Sequence, residues 1–583
     1  MEKAVMSDKK PLVTFRDFSY QYFAQAEPTL HHIDLTIYEG EKILIAGASG
    51  SGKSTLGHCI NGLIPFSYKG ESQGSVQIKG LETKEMSLFE LSKIVGTVLQ
   101  DPDGQFVGLS VAEDIAFSLE NQCMPQDEMK ELVQKTAGIV DMDGLLNNSP
   151  FELSGGQKQR VGLAGVMVDN VELFLFDEPL ANLDPATGKT AIDLIDKIKT
   201  EYNKTVIIIE HRLEDVLYRH VDRIIVMNEG RIVADMDAGA LFEAKILPPL
   251  GIREPLYVTA LRYAGVEVTK DLHPESMDTL AIDKVKDAVC RWNAAQPAPK
   301  PRRAREEILS GTDLRFAYNR DQDILKGIDF SIEAGEMVSI VGTNGAGKST
   351  LAKAICGLVR NVRGQFYFEG NDISDLTIKE RAQHIGYVMQ NPNQMICKPM
   401  IFDEVALGLR LRGVPEEEIR EKVEAALKIC GLYPMRKWPI SALSFGQKKR
   451  VTIASMLALN PKILILDEPT AGQDYYHYTE IMEFLRSLNE SGVTILIITH
   501  DMHLMLEYTA HAIVVTNGKI LYDGSSVHAL TTAKIAESAS LKLTSLYDLA
   551  VACGIDDTQG FVENFINYER SLRESERSGV REA

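Results

Sequence analysis

Two stretches of this chain hold the residue types needed to grip a nucleotide's phosphates. Gly47-Ala48-Ser49-Gly50-Ser51-Gly52-Lys53-Ser54-Thr55 recurs in kind as Gly342-Thr343-Asn344-Gly345-Ala346-Gly347-Lys348-Ser349-Thr350. Backbone N–H groups in such a glycine loop converge on a β-phosphate, helped by the positive end of the helix that follows. Lys53 and Lys348 add a cation for the β- and γ-phosphates, and Ser54 and Ser349 offer hydroxyls to Mg²⁺. Downstream, Leu173-Phe174-Leu175-Phe176-Asp177-Glu178 and Ile463-Leu464-Ile465-Leu466-Asp467-Glu468 read as apolar strands ending in two carboxylates. The first of each pair, Asp177 or Asp467, is placed to hold Mg²⁺. The second, Glu178 or Glu468, can orient and deprotonate an attacking water.

The elements that must carry these groups recur in order. Lys53 to Lys348 is a shift of 295, Asp177 to Asp467 one of 290, and His211 to His500 one of 289. Each half opens with alternating segments (Leu12 to Tyr20 and Ile33 to Ile37; Thr312 to Tyr318 and Ile328 to Ile332). A tight apolar strand, the glycine loop and a helix come next, which is the context a phosphate-binding loop requires. More helical stretches follow at 110–170 and 402–460, and Ser110-Val111-Ala112-Glu113 has the form of a capping box. Buried strands then alternate with helices up to His211 and His500, which implies a mostly parallel sheet covered by helices.

At 583 residues the chain exceeds one core. Its expected parts are a first nucleotide domain over 11–250, a small helical extension over 251–292, a proline-rich basic linker over 293–307, a second nucleotide domain over 308–535, and a helical extension with a frayed, charged tail over 536–583. No run is long and apolar enough to span a membrane. Seven scattered cysteines without a Cys-x-x-Cys pair suit a reducing compartment. A net charge of −20 disfavours a nucleic-acid surface.

Leu153-Ser154-Gly155-Gly156-Gln157 and Leu443-Ser444-Phe445-Gly446-Gln447 narrow the class. With loop, carboxylates and terminal histidine in the same order twice, the chain resembles the ATP-binding cassette (ABC) ATPases across nearly its whole length. The resemblance implies two P-loop α/β domains, each with a mostly parallel core sheet, an antiparallel β subdomain and a helical signature subdomain. It also implies an intramolecular cassette pair that needs no homodimer. Ser154, Gly156 and Gln157 would then serve the ATP held by Lys348, and Ser444, Gly446 and Gln447 the ATP held by Lys53. It further implies adenine-stacking roles for Tyr20 and Tyr318, with Tyr22 a weaker candidate. Gln100 and Gln390 correspond to Q-loop ligands of Mg²⁺, Asp184 and Asp474 to D-loop aspartates, and His211 and His500 to γ-phosphate switch histidines. Two departures stand out: Phe445 replaces a signature glycine, and Gln390 to Gln394 is one residue shorter than Gln100 to Gln105. A side chain at Phe445 is expected to restrict the backbone there.

Gln100-Asp101-Pro102-Asp103-Gly104-Gln105-Phe106, Glu210-His211-Arg212-Leu213 and Leu250-Gly251-Ile252-Arg253-Glu254-Pro255 resemble the energy-coupling factor (ECF) importers, in their fused two-cassette form. That resemblance implies an ATPase using ATP and Mg²⁺ at the cytoplasmic face of the membrane. It would energise uptake of a vitamin, vitamin precursor or metal ion through a transmembrane coupling protein and a substrate-binding membrane protein. Competing expectations are a tandem ATPase of a sugar-type importer, and a paired-cassette translation factor acting on ribosomes. The intact Lys348-Ser349-Thr350 argues against the first, and the short linker and acidic charge against the second.

Overall fold

The computed structural model describes residues 10–581 except 24, 101–103, 182, 298–304, 319–322, 471–472 and 474, with side chains described up to 575. The chain divides into two compact units, Met1–Leu183 with Thr187–Val289, and Asp184–Ala186 with Cys290–Ala583. Asp474 and residues 298–304 of the basic linker lie outside the described residues.

In the first unit the strands are β1 (Pro11–Tyr22), β2 (Leu30–Tyr38), β3 (Lys42–Gly47), β4 (Gly70–Ile78), β5 (Leu81–Glu82), β6 (Val95–Val98), β7 (Leu173–Asp177), β8 (Thr205–Ile209), β9 (Arg223–Asn228) and β10 (Arg231–Met236). They form an antiparallel sheet of order β2-β1-β4-β5 and a six-stranded sheet of order β10-β9-β3-β8-β7-β6. Within the larger sheet only β10 runs antiparallel to its neighbour. The continuous apolar runs of β3 and β8 are buried along their whole length, as strands covered on both faces must be.

The second unit repeats the plan with β11 (Glu307–Phe316), β12 (Leu325–Glu333), β13 (Met337–Gly342), β14 (Arg363–Phe368), β15 (Asn371–Asp372), β16 (Ile385–Val388), β17 (Ile463–Asp467), β18 (Thr494–Ile498), β19 (His511–Thr516) and β20 (Lys519–Ser525). Their orders are β12-β11-β14-β15 and β16-β17-β18-β13-β19-β20. Helices enter by caps legible in the sequence. Ser110 and Glu113 close the expected capping box on helix Val111–Asn121.

Helix Thr558–Arg581 is continuous through the charged C-terminal segment. Arg573 holds it in place, donating to the Tyr508 hydroxyl at 2.9 Å and lying 3.4 Å from Glu507 and 3.5 Å from Glu483. That contact set ties the helix to Glu483 and Glu507 at the level of Arg573.

One anchoring pair differs between the halves. Arg223, opening β9, donates to Glu41 at 3.0 Å and pairs with Asp235. In the matching register, His511 opens β19 between Glu336 (3.2 Å) and Asp523 (2.5 Å). Burial lowers the imidazole pKa, but the two carboxylates outweigh it and push it up to about 9. A pKa raised from an unfolded value near 6.5 gives stability that is complete below about pH 6.5 and lost as pH climbs through 9, at most about 3 kcal/mol. The urea midpoint of the second half should therefore fall between pH 6.5 and 9.5. His511→Arg, which copies Arg223, should flatten that fall, and equal slopes in both proteins would contradict the assignment.

Candidate functional site

Each phosphate loop leaves the C-terminal end of a central strand, where open α/β sheets bind ligands. The first glycine is forced by close approach: a Cβ on Gly47 would stand 2.4 Å from the Met227 carbonyl oxygen, and one on Gly342 1.8 Å from that of Val515. Gly52 and Gly347 take φ of 99° and 102°, a left-handed turn that starts helices Lys53–Ile60 and Lys348–Ile355. Lys53 Nζ donates to the carbonyls of Gly47 (2.7 Å) and Ala48 (2.8 Å), and Lys348 Nζ to those of Gly342 and Thr343 (2.8 Å each). Each cation is thus held by its own loop. Burial lowers the Lys348 pKa to about 8, against the opposing pull of Glu468, Asp184 and Asp467. Ser49, Gly50, Asn344 and Gly345 are exposed, and a Cβ on Gly50 or Gly345 would meet nothing within 4 Å. There is room above each loop for phosphate oxygens.

The carboxylates and histidines arrive on neighbouring parallel strands. Asp177 pairs with Ile209, and Asp467 with Ile498. Glu178 and Glu468 follow with φ of 49° and 48°, a left-handed conformation that costs a non-glycine residue of order 1 kcal/mol or more. Their N–H groups donate to Ile209 and Ile498 at 2.9 Å, which pins each glutamate beside the residue pair leading to His211 or His500. His500 Nε2 lies 3.4 Å from Glu468 Oε1. Gln100 Nε2 donates to Glu178 Oε2 at 2.5 Å.

Burial, then Glu210 and Asp177, push Glu178 up to about 7 against Lys53 and Arg212. Burial and Asp467 push Glu468 up to about 8 against Lys348 and Lys449. Asp177 is raised as well, first by burial, and its Oδ1 is buried without a hydrogen-bond partner. Ser349 Oγ donates to Asp467 Oδ1 at 3.3 Å. A hydroxyl facing a carboxylate, and an orphaned carboxylate oxygen in the other half, fit a site for Mg²⁺.

The aromatic assignment needs correction. Tyr20 is 1% exposed, with its ring in the strand core and its hydroxyl donating to the Tyr68 carbonyl. It presents no face to a base. Tyr22 lies beside the loop, its hydroxyl 3.2 Å from Thr55 Oγ1. The second half shows why: the left-handed Asp17 and Asp313 mark a common register, which aligns Tyr20 with buried Phe316 and Tyr22 with exposed Tyr318. Both pairs make edge contacts, at 4.9 and 4.8 Å between ring centroids.

Ser154 and Ser444 cap helices Gly155–Met167 and Phe445–Leu457, each in a capping box with Gln157 or Gln447. Their backbones agree closely, with φ, ψ of −66°, 159° and −64°, 164°. Phe445 does not restrict this turn. It occupies an ordinary helical position, and its counterpart Gly155 has only Leu183 within 4.0 Å of a built Cβ. Gly156 and Gly446 are half-buried beside these caps.

The shorter Q-loop is also corrected. Leu99 N–H donates to Gln105 Oε1 and Met389 N–H to Met395 Sδ, so Met395 stands in the place of Gln105 and the spacing is conserved between halves. Gln394 is not that counterpart. Gln390 is exposed, and its carbonyl accepts from Lys449. Asp184 is buried within the second unit, its Oδ2 accepting the Asn344 N–H at 3.4 Å. Thr350 is half-buried.

Two site neighbours have no sequence signal. Fully buried Lys449 donates to the carbonyls of Gln390 (2.8 Å) and Glu468 (2.7 Å), yet it stands in a run with Lys448 and Arg450 that reads as a solvated face. Tyr387 donates to Asp467 Oδ2 at 2.9 Å from the middle of a strand.

Residues 30–181 and 325–471 match the family described as ABC transporter, and residues 244–316 match one described as ATP-binding cassette cobalt transporter. A Clostridium perfringens protein named as an ABC transporter ATP-binding protein is 57% identical over 566 residues, 97% of this chain and 100% of that one. One of the same name from Enterococcus faecalis is 56% identical, with 97% and 100% covered. The solved structure of cbiO1 from Clostridium perfringens, described as part of the ABC transporter complex cbiONQ, is 34% identical. It covers 42% of this chain and 99% of that one, with a TM-score of 0.38.

The two tyrosines can be separated by experiment. Tyr22→Ala should raise KM for ATP roughly tenfold, as loss of a base-stacking face of about 1–3 kcal/mol requires. Tyr20→Phe should leave KM unchanged and lower only the melting temperature. A KM effect confined to Tyr20→Phe would reverse the assignment.

Proposed function

The chain belongs to the ABC transporter ATP-binding family and is an ATPase with two cassettes in one polypeptide, and from that premise we propose that it energises an ECF-type importer. The observation that carries this reading is the match of residues 244–316, the segment following the first cassette, to an ATP-binding cassette cobalt transporter family. The cargo class we infer is a vitamin, vitamin precursor or metal ion. Separate membrane subunits would bind and pass it, a transmembrane coupling protein and a substrate-binding protein. Among the described residues no helix is long and apolar enough to cross a membrane, so translocation falls to those partners. An apolar surface supports such docking at the cytoplasmic face. Val107 (62% exposed), Leu109 (84%) and Phe151 (61%) lie close to the Gln100 segment, where Phe106 and Phe151 make an edge contact.

The proposed chemistry uses residues already in place. Lys53 and Lys348, held over the loops by backbone carbonyls, bind the phosphates of ATP. Ser54, Gln100 and Asp177, and Ser349, Gln390 and Asp467, would hold Mg²⁺, which would supply positive charge against the nucleotide's phosphates. Glu178 and Glu468, made more basic by burial, accept the proton of the attacking water. His211 and His500 contact the γ-phosphate. Ser154 and Ser444, capping their signature helices, serve bound ATP, and Asp184 and Asp474 complete the set.

Glu178→Gln and Glu468→Gln should each lower ATP turnover roughly 10²-fold or more while ATP still binds. Unchanged hydrolysis in either variant removes that residue's role. For the transport reading, the chain should copurify with integral membrane proteins from detergent extracts, and Leu109→Glu should weaken that association. Sedimentation with ribosomes instead would overturn it.

A further inference from the structure

Between the end of β8 and His211 sits Glu210, a carboxylate with 0% exposure. Its N–H donates to Ile45 at 3.2 Å, fixing it to β3, the strand that leads into the phosphate loop. Oε1 accepts the backbone N–H groups of His211 (2.9 Å) and Arg212 (3.2 Å) and lies 3.1 Å from His211 Nδ1. Oε2 is buried with no hydrogen-bond partner. Burying a carboxylate this completely is costly, and an orphaned oxygen adds to the cost.

Closing the turn does not require it. At the same place the second half has Thr499, whose Oγ1 accepts the Asp501 N–H at 2.9 Å, while Asp501 Oδ1 accepts from His503 and Leu504. There the imidazole of His500 lies against Glu468 itself. In the first half Glu178 is engaged by Gln100, and His211 has a carboxylate of its own.

We propose that Glu210 is a positioning residue for His211. Its carboxylate accepts the Nδ1–H, fixes the rotation of the ring, and makes Nε2 the nitrogen that meets the γ-phosphate. Which ring nitrogen carries the working proton is set by the bond the other nitrogen makes. The proposal rests on the assignment of His211 above. It goes further in making the two halves hold their switch histidines by different means.

The test uses the full-length protein and the variants Glu210→Thr, which borrows the other half's own residue, His211→Ala, and the double variant. If Glu210 acts through His211, both single variants lower kcat by the same factor to within about twofold, with KM for ATP unchanged, and the double variant is no slower than His211→Ala. In protein labelled with [15N]histidine, the His211 ring, identified by its loss in His211→Ala, should show a protonated Nδ1 that disappears in Glu210→Thr. Multiplying losses in the double variant, or a His211 spectrum indifferent to Glu210→Thr, overturn the positioning role and leave the His211 assignment standing. Full activity in His211→Ala overturns both.

Discussion

Parallel pairing sets which residue ends opposite which in each half. Ile45 and Asp177 both pair with Ile209, so β3, β8 and β7 finish at one level. From that level each strand releases one functional group: the loop ending in Lys53, the turn to His211, and the pair Asp177-Glu178. The second half repeats this with Ile340, Ile498 and Asp467. Slipping one ladder by a residue would turn every side chain of that strand to the opposite face. The runs Ile207-Ile208-Ile209 and Ile495-Leu496-Ile497 are buried on both faces and resist that slip through packing. The left-handed Glu178 and Glu468 are affordable because an interstrand N–H bond holds each one rigidly.

On this common frame the halves have diverged electrostatically. The first site carries a third buried carboxylate, Glu210, with Arg212 nearby. The second carries a buried cation, Lys449, whose position in the first half is taken by Gln159, donating to the Pro179 carbonyl at 2.7 Å. Opposite charges one shell out from equivalent glutamates alter the cost of charging each one. Glu210 raises Glu178, whereas Lys449 lowers Glu468. The same divergence appears far from the loops, where a permanently charged Arg223 is matched by the titratable His511.

Most of the framework was legible in the sequence, because glycine loops, apolar strands and caps are set by local rules. The capping boxes at Ser110, Ser154 and Ser444 required only a three-residue spacing. The failures came where tertiary context decides. Tyr20 and Tyr22 share a face by strict alternation, and they keep it in the structure, in unbroken register with Ser72 and Gly70. Alternation could not say which ring was covered. The partners of Arg573 in the C-terminal helix, Glu483 and Glu507, were not legible because they lie some 70–90 residues away in sequence. Lys449 was invisible as a site neighbour for the same reason: a buried charge is recognised by what surrounds it.

Phe445 shows how a departure from a family pattern can be read through geometry. A glycine is favoured where φ is strongly positive and required where backbone crowds the α-carbon, as at Gly52 and Gly342. The signature position meets neither condition. It is the first helical residue after a serine cap, with open space around the α-carbon, so a ring there leaves the hydroxyl and N–H groups of the cap where they are in the first half. The ring instead projects into solvent at 43% exposure. Its effect on catalysis must therefore come from the bulk and apolarity it adds beside the cap, and not from distortion of the cap itself.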